Sequence, residues 1–211
     1  MIGFVIAEKQ ELEELLSIVD NIKYCDEFIL GKIKNHDVVI CKSSVGKVNA
    51  ALTTQKIIDK FNISIIINIG VSGSVNNMLN IKDIVIGTKF YQFDFDTSAF
   101  ERDIGEIENV GKYIECNVDE YNLSNYKLGV LGTSDKFITD NYEKKRIRDE
   151  FGIDCVDMES GAIAQVCYLN NVKFLIIRSI SDRMDGSSKI EFSKFISDAS
   201  KEAVKLIYNI L

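Results

Sequence analysis

Val156-Asp157-Met158-Glu159-Ser160-Gly161-Ala162-Ile163-Ala164-Gln165-Val166-Cys167, a short break, and then Lys173-Phe174-Leu175-Ile176-Ile177-Arg178-Ser179-Ile180-Ser181-Asp182 is the stretch on which the fold turns. The first half reads as a helix, with Ala162, Ile163, Val166 and Cys167 at 3–4 spacing and the acidic Asp157 and Glu159 near its start. Phe174 to Ile180 is a mostly apolar run that reads as a strand buried on both faces. Arg178 breaks that run, and a guanidinium is tolerated inside a sheet only when an anion is paired with it. Ser181 and Asp182 stand where the strand should end. In open α/β sheets ligands bind at the carboxyl ends of strands, so Glu159, Arg178 and Asp182 are candidate polar groups on a buried frame.

Composition limits what such a frame can serve. The chain has 211 residues, 46% of them hydrophobic and 27% charged, which suits one sizeable α/β domain spanning 1–211 rather than a disordered chain. A net charge of −7 argues against a nucleic-acid surface or a polybasic membrane anchor. No apolar run reaches membrane-spanning length. The chain enters a strand without a basic leader, so the expected location is cytoplasmic. Five scattered cysteines suit reduced thiols. The single histidine, His36, leaves almost no material for a histidine metal site or a Ser-His-Asp triad, and it reads as a turn residue.

Met1 to Ala7 is a short buried strand and Glu8 to Ile18 a helix, which puts Glu11 beside a helix N-terminus at a strand end. On spacing alone Glu11 reads as a solvated member of an acidic run with Glu8, Glu13 and Glu14 rather than as a site residue. Phe28 to Lys34 and Asp37 to Lys42 form a hairpin around Asn35-His36. Ser43-Ser44-Val45-Gly46-Lys47 opens a helix to Phe61 but lacks the glycine spacing of a Walker phosphate loop. Ile63 to Ile69 is a further strand. Gly70-Val71-Ser72-Gly73-Ser74 after it is either a plain tight turn or a place where backbone N–H groups approach a ligand. Ile81 to Thr88 and Leu128 to Thr133 read as strands, Phe90 to Phe100 as a surface excursion, Asn109 to Val118 as weakly helical, Asn141 to Phe151 as a charged surface helix, and Ile190 to Leu211 as an amphipathic closing helix. Phe137 and Ile138, inside the polar Ser134–Asp140 loop, are packing plugs or a flat wall for an aromatic ligand.

Seven segments then carry a resemblance: Ile2-Gly3 with Glu11, Ser43 to Ala51, Ile67 to Gly73, Lys82-Asp83-Ile84-Val85, Ser134 to Ile138, Val156 to Glu159, and Arg178 to Asp182. Their order and spacing resemble the purine nucleoside phosphorylase/nucleosidase superfamily over essentially the whole chain, and most nearly the bacterial 5′-methylthioadenosine/S-adenosylhomocysteine nucleosidases. The resemblance implies a three-layer α/β/α fold around a mixed, partly barrel-like sheet, in a homodimer. It implies hydrolysis of an N-glycosidic bond with water as co-substrate and no metal or organic cofactor. By position, Asp182 matches the acid that protonates purine N7, Ser181 the residue that orients it, and Glu11 the carboxylate that activates water. Glu159 matches the ligand of the ribose hydroxyls, with Met158 against the sugar and Arg178 holding the carboxylates. Phe137 and Phe192 match the aromatic contacts to the purine and Ile138 its backbone reader, while Val45, Ser72 and Gly73 fall in the segments that line the site. Glycoside cleavage needs a proton source at the leaving group and a carboxylate for water. That chemistry leads us to expect Asp182 in a dry surround that keeps it protonated, and Glu11 ionised.

A phosphorylase is disfavoured, because Asn68 stands where related phosphorylases carry a phosphate-binding Arg and an anionic Glu11 repels phosphate. Departures fall at the sugar, near the water site, and at the 5′ end of the substrate. Val71 replaces a Ser, Glu8 an apolar Met, and Glu101-Arg102-Asp103-Ile104-Gly105-Glu106 a less polar segment that builds the alkylthio pocket. The expected substrate is an adenine nucleoside, 5′-methylthioadenosine, S-adenosylhomocysteine or 5′-deoxyadenosine, with a 5′ group more polar or less tightly gripped than methylthio. A futalosine-like nucleoside and a purine-nucleoside binding protein without turnover are the alternatives.

Overall fold

The computed structural model describes residues 1–121, 123, 125–183 and 188–211, the side chains of 188–194 excepted. β1 (Ile2–Ile6) runs parallel to β4 (His36–Lys42) on one side and to β5 (Ile65–Ser74) on the other. β3 (Phe28–Ile33) and β2 (Asp20–Cys25) extend the β4 edge as antiparallel neighbours. On its far edge β5 pairs in parallel with β10 (Lys173–Asp182). β10 then meets β6 (Ile84–Gln92), β6 meets β8 (Lys127–Thr133), β8 meets β9 (Cys155–Asp157), and β9 returns antiparallel to the last two residues of β5. These five strands close a ring, while β1, β4, β3 and β2 leave it as an open sheet. A two-residue β7 (Ile114–Glu115) pairs with β6. The mixed, partly barrel-like sheet expected from the sequence is therefore present.

Strand alternation sorts the apolar side chains onto two faces. Phe4, Ile6, Ile67, Ile69, Leu175 and Ile177 pack with Leu15 of α1 (Lys9–Leu16) and with Ala203, Val204, Leu206 and Ile207 of α5 (Ser188–Ile210). Val5, Ile66, Phe174 and Ile176 pack on the other side, with Ala50 and Ile57 of α2 (Lys47–Lys60) and Ala162, Ile163 and Cys167 of α4 (Ser160–Leu169). Helices on both faces explain why the central strands read as unbroken apolar runs. A third cluster, Val75, Phe93, Ile138, Ile147, Ile153 and Val156, seats α3 (Asn141–Phe151). No helix among the described residues is long and apolar enough to cross a membrane.

Several sequence expectations are corrected. Gly70 to Ser74 is the second half of β5, because β10 and β9 supply its hydrogen-bond partners. Val156-Asp157 is strand, and α4 starts three residues later. Asn109 to Val118 is not helical: Asn109 and Gly111 take positive φ, which ends any helix, and pairing with β6 fixes Ile114–Glu115. β2 was not anticipated, since its residues form no apolar run and all are exposed at the sheet edge. His36 is the first residue of β4, paired with Ile33, and the turn falls at Lys34-Asn35. The strand expected at 81–88 is displaced to Ile84–Gln92.

Phe4 is fully buried at the centre of this sheet. Phe4→Ala is expected to lower unfolding stability by about 3–5 kcal/mol in urea titration; a loss below about 1 kcal/mol would mean that the site collapses around the gap.

Candidate active site

Arg178 sits in the middle of β10 with 1% of its surface exposed. Its Nε donates to Asp157 Oδ2 at 2.7 Å, its Nη1 to the Ile177 carbonyl, and its Nη2 to Asn68 Oδ1. Asn68 in turn donates from Nδ2 to the Val5 carbonyl at 2.7 Å, so it anchors the guanidinium to β1. Asp157 is saturated: besides Arg178, its Oδ1 accepts from Thr133 Oγ1 and from the backbone N–H groups of Glu159 and Ser160. Burial works against the charge on Arg178, but Asp157, Glu159 and Glu11 outweigh it and hold the guanidinium protonated more firmly than usual.

Two more carboxylates face the same guanidinium. Glu11, on the first turn of α1, is 4% exposed, with Oε1 accepting from Val71 N–H and Oε2 from Glu8 N–H, both at 3.0 Å. The solvated-run reading of Glu11 is thereby set aside. Gly70 is required beneath it, since a Cβ there would lie 2.8 Å from Glu11 Oε1. Glu159, just before α4, accepts from Gly46 N–H at 2.9 Å and is buried. Burial pushes the Glu11 carboxyl up, against the expectation that it stays simply ionised; the opposing N–H bonds and Arg178 do not cancel that cost. Burial, and then the neighbouring Asp157 charge, push Glu159 up to about 7.

These groups border a cavity of about 240 Å³, walled also by Ala7, Glu8, Val45, Val71, Ser72, Gly73, Phe137, Val156, Met158 and Ser181. A narrower cleft shares Gly73, Phe137, Val156, Asp157 and Met158 with it and reaches Ile138, Lys136 and Asp182. The cleft and the cavity thus share one wall, and Glu8 and Val45 line the cavity but not the cleft. Phe137 is 41% exposed along the shared wall, while Ile138 is buried behind it. The Ser72 hydroxyl, on the cavity wall, makes no hydrogen bond of ordinary geometry among the described residues, with the Cys155 thiol its near neighbour. Phe192 lies outside the residues whose side chains are described.

At the end of β10 the register with β5 slips: Ile180 faces Ser72, but Asp182 faces Gly73, so Ser181 is the extra residue of a bulge. Ser181 Oγ donates to Asp182 Oδ1 at 3.0 Å, and a Cβ on Gly73 would come within 3.0 Å of Asp182 Oδ2. The surround of Asp182 is dry, as expected, with 1% of its surface exposed, but it is not free of charge. Lys144 Nζ, from α3, lies 3.2 Å from Asp182 Oδ2, and both side chains are shut off from solvent. The sequence reading missed Lys144, Asp157 and Thr133. The only sign of Lys144 was its 3-spacing from the buried Ile147 in a helix that otherwise reads as solvated.

The sequence profile of the phosphorylase superfamily matches residues 1–211. The chain belongs to this superfamily. A 5′-methylthioadenosine/S-adenosylhomocysteine nucleosidase of Staphylococcus carnosus is 33% identical to it, covering 100% of this chain and 99% of the relative. The solved structure of the S. pneumoniae enzyme of that name, with the transition-state inhibitor MT-ImmA, superposes with a TM-score of 0.91 at 29% identity over 99% of this chain and 97% of that one. The native futalosine hydrolase of Helicobacter pylori also superposes at 0.91, with 27% identity over 99% and 96% of the two chains.

The raised Glu159 carboxyl has a consequence for stability. Between pH 4.5 and about 7 the folded protein keeps a proton on Glu159 that the unfolded chain has released, so stability falls as pH rises through that window and the contribution is lost above it. At about 1.4 kcal/mol per unit, the loss is on the order of 3 kcal/mol. Glu159→Gln should flatten the fall in urea-derived stability across this window, and equal slopes in the two proteins would remove Glu159 as its source.

Proposed function

We propose that this protein hydrolyses the N-glycosidic bond of 5′-substituted adenine nucleosides, with 5′-methylthioadenosine and S-adenosylhomocysteine as the first substrates to test. The products would be adenine and a 5-substituted ribose. The observation that carries this reading is one cavity with two buried carboxylates, Glu11 and Glu159, along the sugar side and an acid, Asp182, at the end of its adjoining cleft. A nucleoside fits with its base in the cleft against Phe137 and Ile138 and its ribose between Glu11 and Glu159, beside Met158.

In this reading the C1′–N9 bond lengthens toward an oxocarbenium-like state, and its electron pair moves into the purine. Asp182, steadied by Ser181, gives a proton to N7, so the base departs neutral. Glu11 takes a proton from the water that attacks C1′. Burial that makes its carboxyl hold a proton more firmly makes its ionised form a stronger base, the direction such a role needs. Glu159 accepts from the ribose hydroxyls, and the unsatisfied Ser72 hydroxyl on the wall offers a further partner to the sugar. Negative charge along the sugar side favours a transition state that gains positive charge.

Water is favoured over phosphate as nucleophile because Glu8, Glu11 and Glu159 line the sugar side, while Arg178 is committed to Asp157 and Asn68. Adenine release from either substrate is expected without phosphate, falling by about a hundredfold or more in Asp182→Asn. Release that requires phosphate would make the protein a phosphorylase. Binding of nucleosides without any release would make it a binding protein.

Outside the cleft, Glu8 puts a carboxylate on the cavity wall with Val45 and Ala7, which supports a 5′ group more polar than methylthio. Glu8→Met should shift the kcat/KM ratio toward methylthioadenosine and away from 5′-amino-5′-deoxyadenosine by about tenfold; an unchanged ratio would detach Glu8 from 5′ selection. We also propose a homodimer, supported by exposed Val48 and Leu52 on the outer face of α2, just beyond Val45 at the cavity wall.

A further inference from the structure

Lys144 is fully buried, on a helix whose other fully buried residue is the apolar Ile147. An ammonium in such a place is stable only with its charge answered. Lys144 Nζ donates to Asp182 Oδ2 at 3.2 Å and to the Arg183 carbonyl at 2.8 Å. Nearby charges are engaged elsewhere. Lys136, across the cleft, pairs with Glu143; Arg148, one turn along α3, donates to Asn76 Oδ1; and Asp157 is held by Arg178. Among the described residues, Asp182 is the carboxylate that faces Lys144.

The two oxygens of Asp182 therefore have different partners: Ser181 Oγ at Oδ1 and Lys144 Nζ at Oδ2. An acid serving the leaving base must hold a proton when the bond breaks, yet a carboxylate beside an ammonium has no need of one. In a dry pair that conflict has a solution. One proton shared between nitrogen and oxygen gives either ammonium with carboxylate or neutral amine with carboxylic acid, and loss of solvation brings the two forms closer in energy.

We propose that Lys144 is the positioning residue that supplies Asp182 with its proton. This rests on the hydrolase reading above. The shared proton moves from Nζ of Lys144 to Oδ2 of Asp182, breaking a Nζ–H bond as the O–H bond forms. As C1′–N9 breaks and its electrons enter the purine, that O–H bond breaks in turn and the proton passes to N7, leaving a neutral amine beside a carboxylate. The proton that Glu11 removes from water reaches solvent, and Lys144 recovers one from solvent after product release, so the cycle balances. Lys144 touches neither base nor sugar and acts through Asp182.

The test is the pH profile of kcat/KM for adenine release from methylthioadenosine, for the parent protein and Lys144→Met, with thermal melting as the check on folding. Without the ammonium, Asp182 must keep a proton of its own. Activity in Lys144→Met is expected to stay within about threefold of the parent near pH 5.5 but to fall at least about tenfold further by pH 8, moving the alkaline limb downward by about one unit. Lys144→Gln, which keeps a donor to Asp182 but has no proton to lend, should behave alike and stands in if the methionine variant does not fold. An unmoved alkaline limb, with activity lowered evenly at every pH, would overturn the proposal and leave Lys144 a packing residue. Failure of the hydrolase reading looks different, because the parent protein itself would then release no adenine at any pH.

Discussion

The guanidinium of Arg178 is the constraint around which the rest is arranged. A fixed positive charge in the centre of a buried sheet is very costly unless it is surrounded by acceptors. Asp157 and Asn68 provide direct partners, and Glu11 and Glu159 add their fields. Each comes from a different part of the chain, so satisfying one side chain fixes β1, β5, β9, α1 and the start of α4 relative to β10. The same arrangement leaves two carboxylates facing a cavity rather than bulk water. A sheet that needed only stability would be served as well by an apolar residue at this position. The charge is explained by what it holds in place.

The backbone adapts to that cluster at a few positions. Gly70 lets Glu11 lie against β5, and Gly73 leaves room for the carboxylate of Asp182. Small residues in this segment look from the sequence like a turn, but here they are strand, thinned where acidic side chains cross it. The closed ring and the open sheet share β5, which pairs first with β1 and then with β9. The site lies near that handover, where strands diverge and a cavity can open without breaking hydrogen bonds.

Much of this was legible in the sequence because buried strands leave apolar runs and helices leave periodic ones. Arg178 stood out for the same reason, as a charge in the wrong company. Glu11 was ambiguous, since an acidic run beside a helix start says nothing about which member turns inward. Lys144 was hidden more thoroughly. Its helix has the composition of a solvated one, and only the approach of β10 from more than thirty residues away gives the lysine a reason to be buried. The segment at 109–118 misled because local propensity was weak and pairing with a distant strand decided it. Contacts between residues far apart in the chain leave no local periodic trace.

The bulge at Ser181 gives the end of β10 an unusual fragility. A strand has only two phases, and each residue added or removed exchanges them. Because Ser181 is the surplus residue, Asp182 reaches the cleft in a phase opposite to the one an uninterrupted β10 would give it. Losing Ser181 itself would restore regular pairing with the acid still opposite Gly73 but would remove its Oγ partner, whereas losing a residue between Arg178 and Ile180 would move the residues after it into the other phase. Substitutions along this strand are graded in effect, but changes in its length are not. The spacing between Arg178 and Asp182 therefore works as a reading frame, set by backbone count rather than by side-chain chemistry.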